Sequence, residues 1–253
     1  MLPLFNPHVI GPREKSELDQ QGHLILPGLL TQPARDALVA ALGRVLELHI
    51  EHGPEAPGER SPSRYAAEHD SFLASLIAHP QMLALGRSIL GDEIRYDHCV
   101  ALSRVAAFPG MRWHSHEYSD ADPRLGFLRI FFYVNGFEAD DGGLKVVPGS
   151  HLFRDSCVTA DDDAALASWL AGKRHLVTGE PLQIEHLVAS RGSVILMWTH
   201  ALHGVAPRRA GSDTRWTVVY GYRNPGRPSR SRWISEAFEQ HGLPGTEGLM
   251  GLY

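Results

Sequence analysis

Trp113-His114-Ser115-His116-Glu117 sets two histidines at alternate positions with a carboxylate directly behind them. On an extended strand successive side chains point to opposite faces, so His114 and His116 share one face while Ser115 and Glu117 take the other. Two neighbouring imidazoles joined by a third from a distant strand would make an iron or zinc site. The plain alternative, in a chain with fifteen histidines, is a surface pair, and this stretch alone does not decide. Its partners lie downstream. Ser193-Val194-Ile195-Leu196-Met197-Trp198 is an apolar strand running into Thr199-His200-Ala201-Leu202-His203-Gly204, so His200 and His203 compete to be the third imidazole. Arg215 then begins a strand, Trp216 to Arg223, that is otherwise apolar, and a buried guanidinium there needs a carboxylate to meet it.

These residues must be positioned by a β framework. Ile94–Phe108, Leu128–Phe137, Leu144–Val147, Gln183–Leu187, Val194–Trp198 and Trp216–Arg223 are short apolar stretches separated by Gly, Pro, Asp or Ser. Many short strands without alternating helices argue for an antiparallel sandwich or barrel. Residues 160–175 interrupt it as a small insertion helix. Before residue 92 the signals are helical: a run Arg13–Gln21 stopped by Gly22, a short strand at His23–Leu30, and Thr31 as N-cap of a helix over Pro33–Ile50. Residues 53–64 form a long polar loop of the kind that is often a lid, and 70–91 hold one or two more helices, with Pro80 opening the second. The reading is one domain: a helical layer and first strand over 1–92, a jelly-roll core over 93–223 and a tail over 224–253. Two domains divided near 92 are disfavoured, because the helices are too few to bury a core of their own.

The ordered set resembles the phytanoyl-CoA dioxygenase family of iron(II)- and 2-oxoglutarate-dependent oxygenases. The resemblance starts at Gln21-Gly22-His23-Leu24-Ile25-Leu26-Pro27-Gly28-Leu29-Leu30-Thr31. It continues through Asp141-Gly142-Gly143-Leu144-Lys145-Val146-Val147-Pro148-Gly149-Ser150-His151, which on residues alone is a plain hairpin but is close to the family's NGxLxxxPGSH segment, and it ends with His203-Gly204 and Arg215. It implies a double-stranded β-helix, the cupin-like jelly roll, with N-terminal helices. By resemblance His114 is the first metal ligand and His203 the last, since the family places glycine directly after that ligand. Arg215, twelve residues on, matches the arginine that pairs with the far carboxylate of 2-oxoglutarate.

The departure is at His116, where the family carries aspartate. Three arrangements remain open. His116 replaces the carboxylate in a three-histidine iron site; Glu117 reaches the metal through a bulge; or the site is degenerate and binds metal weakly. A halogenase is disfavoured, because those enzymes put a small residue where His116 stands. A neutral ligand set would leave iron(II) with more positive charge and favour anionic chelators such as a 2-oxo acid. Arg129, Phe131 and Tyr133 alternate on one face, which the resemblance implies is the inward one, where Arg129 would meet 2-oxoglutarate or an acidic substrate, or else pair with an Asp or Glu on the sheet; Arg104 is a weaker candidate of the same kind. Trp113 and Trp198 read as wall or core, Lys145 as solvent-facing, His151 as a turn cap, and the Arg-rich piece Arg223–Arg232 as solvated tail.

The implied activity is hydroxylation of an unactivated C–H bond of a small-molecule substrate with iron(II), 2-oxoglutarate and molecular oxygen. The alternatives are a three-histidine dioxygenase that does not use 2-oxoglutarate, and a catalytically dead ligand-binding member of the fold. Composition agrees with an ordinary globular chain: 43% hydrophobic, 21% charged, net charge −5, which gives no electrostatic reason to expect nucleic acid. Only Cys99 and Cys157 occur, too few for a disulfide framework, and Met1–Pro7 lacks a secretion signal. A cytoplasmic protein without a membrane partner is expected. Substrate identity and oligomeric state are not legible.

Overall fold

Pro12 opens α1 (Pro12–Gln21), and Gly22 ends it in the left-handed conformation with its N–H returned to the Leu18 carbonyl. β1 (His23–Leu26) follows at once. Thr31 accepts from the Ala34 N–H at 3.2 Å and starts α2 (Gln32–His52). Three shorter helices come next: α3 (Ala66–His69), α4 (Ser71–Leu76, capped by the Asp70 carboxylate) and α5 (Pro80–Leu90, stopped at Gly91). The computed structural model describes residues 2–52, 61–116, 126–155, 157–226 and 232–251.

From residue 95 the chain is mostly strand: β2 (Arg95–Ala101), β3 (Met111–His114), β4 (Phe127–Tyr133), β5 (Leu144–Val146), β6 (Thr159–Ala160), β7 (Glu185–His186), β8 (Ser193–Trp198), β9 (His203–Val205) and β10 (Thr217–Arg223). A 3-10 turn over Ser150–Phe153 and the helices α6 (Asp163–Leu170), α7 (Glu236–His241) and α8 (Glu247–Met250) complete it. All pairings are antiparallel, in two five-stranded sheets ordered β1-β8-β4-β10-β2 and β6-β3-β9-β5-β7. This is the expected jelly roll. Among the described residues no helix is long and apolar enough to cross a membrane.

Strand alternation sorts the core into layers. The outer face of the larger sheet, with Ile130, Phe132, Leu196 and Tyr220, packs on Leu38, Leu42 and Val45 of α2 and on Leu73 and Ile77. Two buried tyrosines pin that layer, Tyr220 donating to the Leu73 carbonyl at 2.8 Å and Tyr222 to that of Ile77 at 2.7 Å. The inner face, with Phe131, Tyr133, Ile195 and Val219, meets Leu144, Val146 and Val205 of the smaller sheet. Behind the smaller sheet Trp113, Val147, Leu166 and Leu202 form a third cluster under α6.

Three expectations need correction. Lys145 is not solvent-facing: it is buried, 2.5 Å from Asp163 and 4.7 Å from the centre of the Trp113 ring. The strand alternates as expected, but α6 folds back over this face and brings the carboxylate that makes a buried ammonium tolerable. Arg223 is likewise no tail residue. It ends β10 with no exposed surface, its guanidinium over the Phe127 ring and 3.9 Å from Asp97. The predicted first strand is also shorter: β2 stops at Ala101, and beyond it the Leu102 N–H to the Thr217 carbonyl and the Arg104–Arg215 bridge hold that segment beside β10 and its approach.

Candidate metal centre and its cavity

β3 and β9 pair in a register that sets His114 directly opposite His203. Three residues of β3 span two of β9 between this pair and Met111–Val205, a one-residue bulge that turns Met111 and His114 to the same, inner side. Trp113 consequently faces away into the third cluster, with its Nε1 donating to Asp163 at 2.7 Å. β3 ends at His114, so His116 lies just past the ladder, tethered by its N–H to the Thr199 carbonyl at 3.4 Å.

The three rings converge. Centroids are 4.2 Å apart for His114–His203, 5.0 Å for His114–His116 and 5.5 Å for His116–His203, and one nitrogen from each lies within 4.8 Å of the other two. The carbonyls of Arg112 and Ala201 only accept, so the Nδ1 of His114 (3.0 Å) and of His203 (2.8 Å) must each donate. Each Nε2 is thereby left with its lone pair toward the third ring. The Nε2 of His116 is buried with no hydrogen-bond partner. Burial first, then the Arg129 charge and the neighbouring imidazoles, holds His116 well below the ordinary histidine range; burial and the nearby His114 do the same for His203. His114 is lowered by burial too, against its bond to Arg112. Three neutral imidazoles with converging lone pairs fit a divalent transition metal. His200 does not take part; it lies 6.3 Å from the His151 ring, and His151 caps α1 through the Asp19 carbonyl rather than its own turn. Glu117 falls outside the described residues.

The histidines open into a cavity of about 460 Å³ between the sheets, whose walls include Arg104, Arg129, Phe131 and Tyr133. The inward alternation expected for β4 therefore holds. Arg104 donates to the Leu102 carbonyl at 3.3 Å and the Met111 sulfur at 2.7 Å and lies 5.0 Å from the centre of the Phe108 ring, and no carboxylate meets it among the described residues. Arg215 sits one layer back from this wall. It lies over the Phe137 ring, which packs on Tyr133 at 4.5 Å, and it donates to the Asp141 carbonyl at 2.8 Å with that carboxylate 3.5 Å away. Its Nε and Nη1 have no partner, and burial together with Arg208 brings it down to about 10. Tyr133 is pushed up to about 12 by burial, against the charges of Arg104 and Arg215, which both act on it in the opposite sense.

Sequence reasoning missed the pair Asp97–His98 on the same cavity. Adjacent strand residues should face opposite ways, yet His98 Nδ1 meets Asp97 Oδ2 at 2.7 Å. The ladder explains it: Gly221 pairs with His98 and Tyr222 with Tyr96, leaving Asp97 as an extra bulged residue. Nothing in the residue types announces that bulge. Trp233, from the segment after β10, closes on His98 with ring centroids 5.4 Å apart.

Two antiparallel sheets enclosing a histidine triad at the end of paired strands is the architecture of the jelly-roll dioxygenases. The phytanoyl-CoA dioxygenase family model matches residues 18–215, and the chain belongs to that family. The ectoine dioxygenase of Sphingopyxis alaskensis is 26% identical over 216 residues, 77% of this chain and 70% of that relative. Among solved structures, EctD of S. alaskensis with 2-oxoglutarate and 5-hydroxyectoine superposes with a TM-score of 0.66 at 20% identity, covering 85% of this chain and 76% of that one. HygX of Streptomyces hygroscopicus with nickel and 2-oxoglutarate gives 0.60 at 18% identity, over 85% and 87%. At those identities the structural likeness speaks for the fold.

Proposed function

We propose that this chain is an iron(II)- and 2-oxoglutarate-dependent oxygenase that hydroxylates an unactivated C–H bond of a small-molecule substrate, with His114, His116 and His203 as its metal ligands. The observation that carries this reading is the triad itself: three imidazole nitrogens within 4.8 Å, two of them with their tautomer preset by backbone carbonyls. The related structures that hold 2-oxoglutarate, one with nickel beside it, support the choice of cosubstrate. Bound iron would let oxygen split between substrate and cosubstrate, one atom entering the new hydroxyl and one entering succinate as carbon dioxide leaves.

The protein's own part is placement. The two sheets enclose the triad, and Phe131 and Val219 give its cavity an apolar inner wall. Arg104 and Tyr133 on the cavity wall, with Arg215 behind them, form the end that receives the far carboxylate of 2-oxoglutarate. Reaching Arg215 requires Tyr133 or Phe137 to yield, because the guanidinium lies behind them. That setback is the one observation favouring a second reading, a three-histidine dioxygenase that does not use 2-oxoglutarate.

Anaerobic addition of iron(II) and 2-oxoglutarate tests the proposal. The visible charge-transfer band of the chelate should appear at one iron per chain, followed on aeration by succinate release. Stoichiometric iron without the band would favour the second reading, and no iron uptake would mean a ligand-binding member of the fold.

A further inference from the structure

Arg129 is the least compensated charge in the cavity. It is fully enclosed on β4, and its Nε and Nη2 have no hydrogen-bond partner. Asp97 is the carboxylate nearest in effect, but its Oδ2 is committed to His98 and its Oδ1 lies 3.9 Å from Arg223. Beyond Arg129 are the three neutral imidazoles. A metal there would add two more positive charges to a wall that holds an unpaired guanidinium, which is expensive unless an anion arrives.

His98 faces the same space. Gly221 pairs with Arg129 on one side and with His98 on the other, so the three stand in one row across the larger sheet. A side chain on Gly221 would come within 2.5 Å of the His98 ring, so the ring lies over the bare glycine, leaning toward Arg129. The Asp97 carboxylate accepts from Nδ1, which leaves Nε2 as an acceptor; it is buried and unpartnered. Burial lowers the imidazole against the pull of Asp97, in keeping with the neutral form.

The Arg104–Arg215 end lies the other way along β4. Arg129 and Tyr133 are four residues apart, about 13 Å at strand spacing. A five-carbon diacid has four C–C bonds of about 1.5 Å and spans at most about 6 Å. The far carboxylate of a 2-oxoglutarate held beside Tyr133 therefore does not also fill the Arg129 fork.

We infer that Arg129 and His98 form the substrate subsite, and that the substrate is a small carboxylic acid carrying a hydroxyl or amine donor beside its carboxylate, the acid on the Arg129 fork and the donor on His98 Nε2. This rests on the oxygenase reading for its meaning, but not for its test. Mandelate, mandelamide and phenylacetate are titrated calorimetrically into the full chain, first metal-free and then with iron(II) and 2-oxoglutarate under nitrogen. Mandelate should bind about tenfold tighter than mandelamide, as expected for one charge-assisted pair, and about threefold tighter than phenylacetate. Arg129→Gln should bring the acid-to-amide ratio near one, Arg129→Lys should keep part of it, and His98→Phe should remove only the preference over phenylacetate. Equal binding of mandelate and mandelamide, or no binding of mandelate, overturns the inference. So does an Arg129→Gln variant that keeps the acid-to-amide ratio while losing 2-oxoglutarate affinity, because the arginine then belongs to the cosubstrate. Discrimination in the metal-free chain, with no chelate band in the loaded one, would uphold the subsite and remove the oxygenase reading instead.

Discussion

His114 and His203 face each other across the β3–β9 ladder, and each donates its Nδ1 proton to the carbonyl two residues earlier in its own chain segment, Arg112 for one and Ala201 for the other. The two rings are thus oriented by the same local device from opposite strands. The two Nε2 lone pairs are set without any ion, which would reduce the reorganisation that metal binding requires. His116 has no such tether, and its Nε2 is the free corner of the triangle.

That asymmetry makes His116 the informative position. His116→Ala should lower iron(II) affinity by more than the roughly 10- to 100-fold typical of losing an outer-shell partner, while His116→Asp retains binding. Equilibrium dialysis with metal analysis reads both. If Glu117 were the third ligand, His116→Ala would keep its iron and Glu117→Ala would lose it.

Arg215→Ala should raise the 2-oxoglutarate dissociation constant about 10- to 100-fold, the worth of a charge-assisted pair of about 1.5–3 kcal/mol. Oxygen uptake at low 2-oxoglutarate should fall in step and recover as the cosubstrate is raised. Unchanged uptake at every concentration would point to the reaction that does without 2-oxoglutarate.

Acid should loosen the fold through Asp141 and Asp163. Burial raises both carboxyls, but Asp141 is brought below the usual range by the Arg209 N–H, the Ser212 hydroxyl and the charges of Arg208 and Arg215. Asp163 is brought down by its bonds to Lys145 and Trp113. A depressed folded value means the stabilisation is complete above the unfolded carboxylate value of about 4, and is lost as pH falls below it through the folded value. Urea unfolding from pH 7 to pH 3 should show this decline, and Asp163→Asn should start less stable and decline less steeply. A parallel decline in the variant would remove Asp163 from the account.

Gly221→Ala should strain the cavity wall, because the new methyl would meet three atoms of the His98 ring at 2.5–2.9 Å. Overpacking of this kind costs about 1–3 kcal/mol, and relief by turning the ring would break the Asp97 contact. Thermal unfolding reads the first effect and mandelate affinity the second. A variant with wild-type melting and wild-type affinity would show that His98 has room that the packing does not suggest.

Much of the site was legible in residue order. The Gly22 stop, the Thr31 cap and the alternation of Arg129, Phe131 and Tyr133 are local signals that the structure repeats, while His114, His203 and Arg215 were singled out by the order of segments that resembles the family. The choice of His203 over His200 came from the glycine that follows it in the family pattern, and strand pairing sets His203 opposite His114.

What residue order determined by itself was the class of fold, because alternation, capping and turn chemistry act over a few residues and do not depend on what lies across the molecule. Tertiary structure alone decided which charges are buried and what meets them. α6 folding over β5 buried Lys145, the close of β10 buried Arg223, and a single bulged residue brought Asp97 against the ring of His98 on the cavity wall. Burial and pairing are set by neighbours distant in sequence, and one extra residue in a ladder reverses the facing that simple alternation predicts.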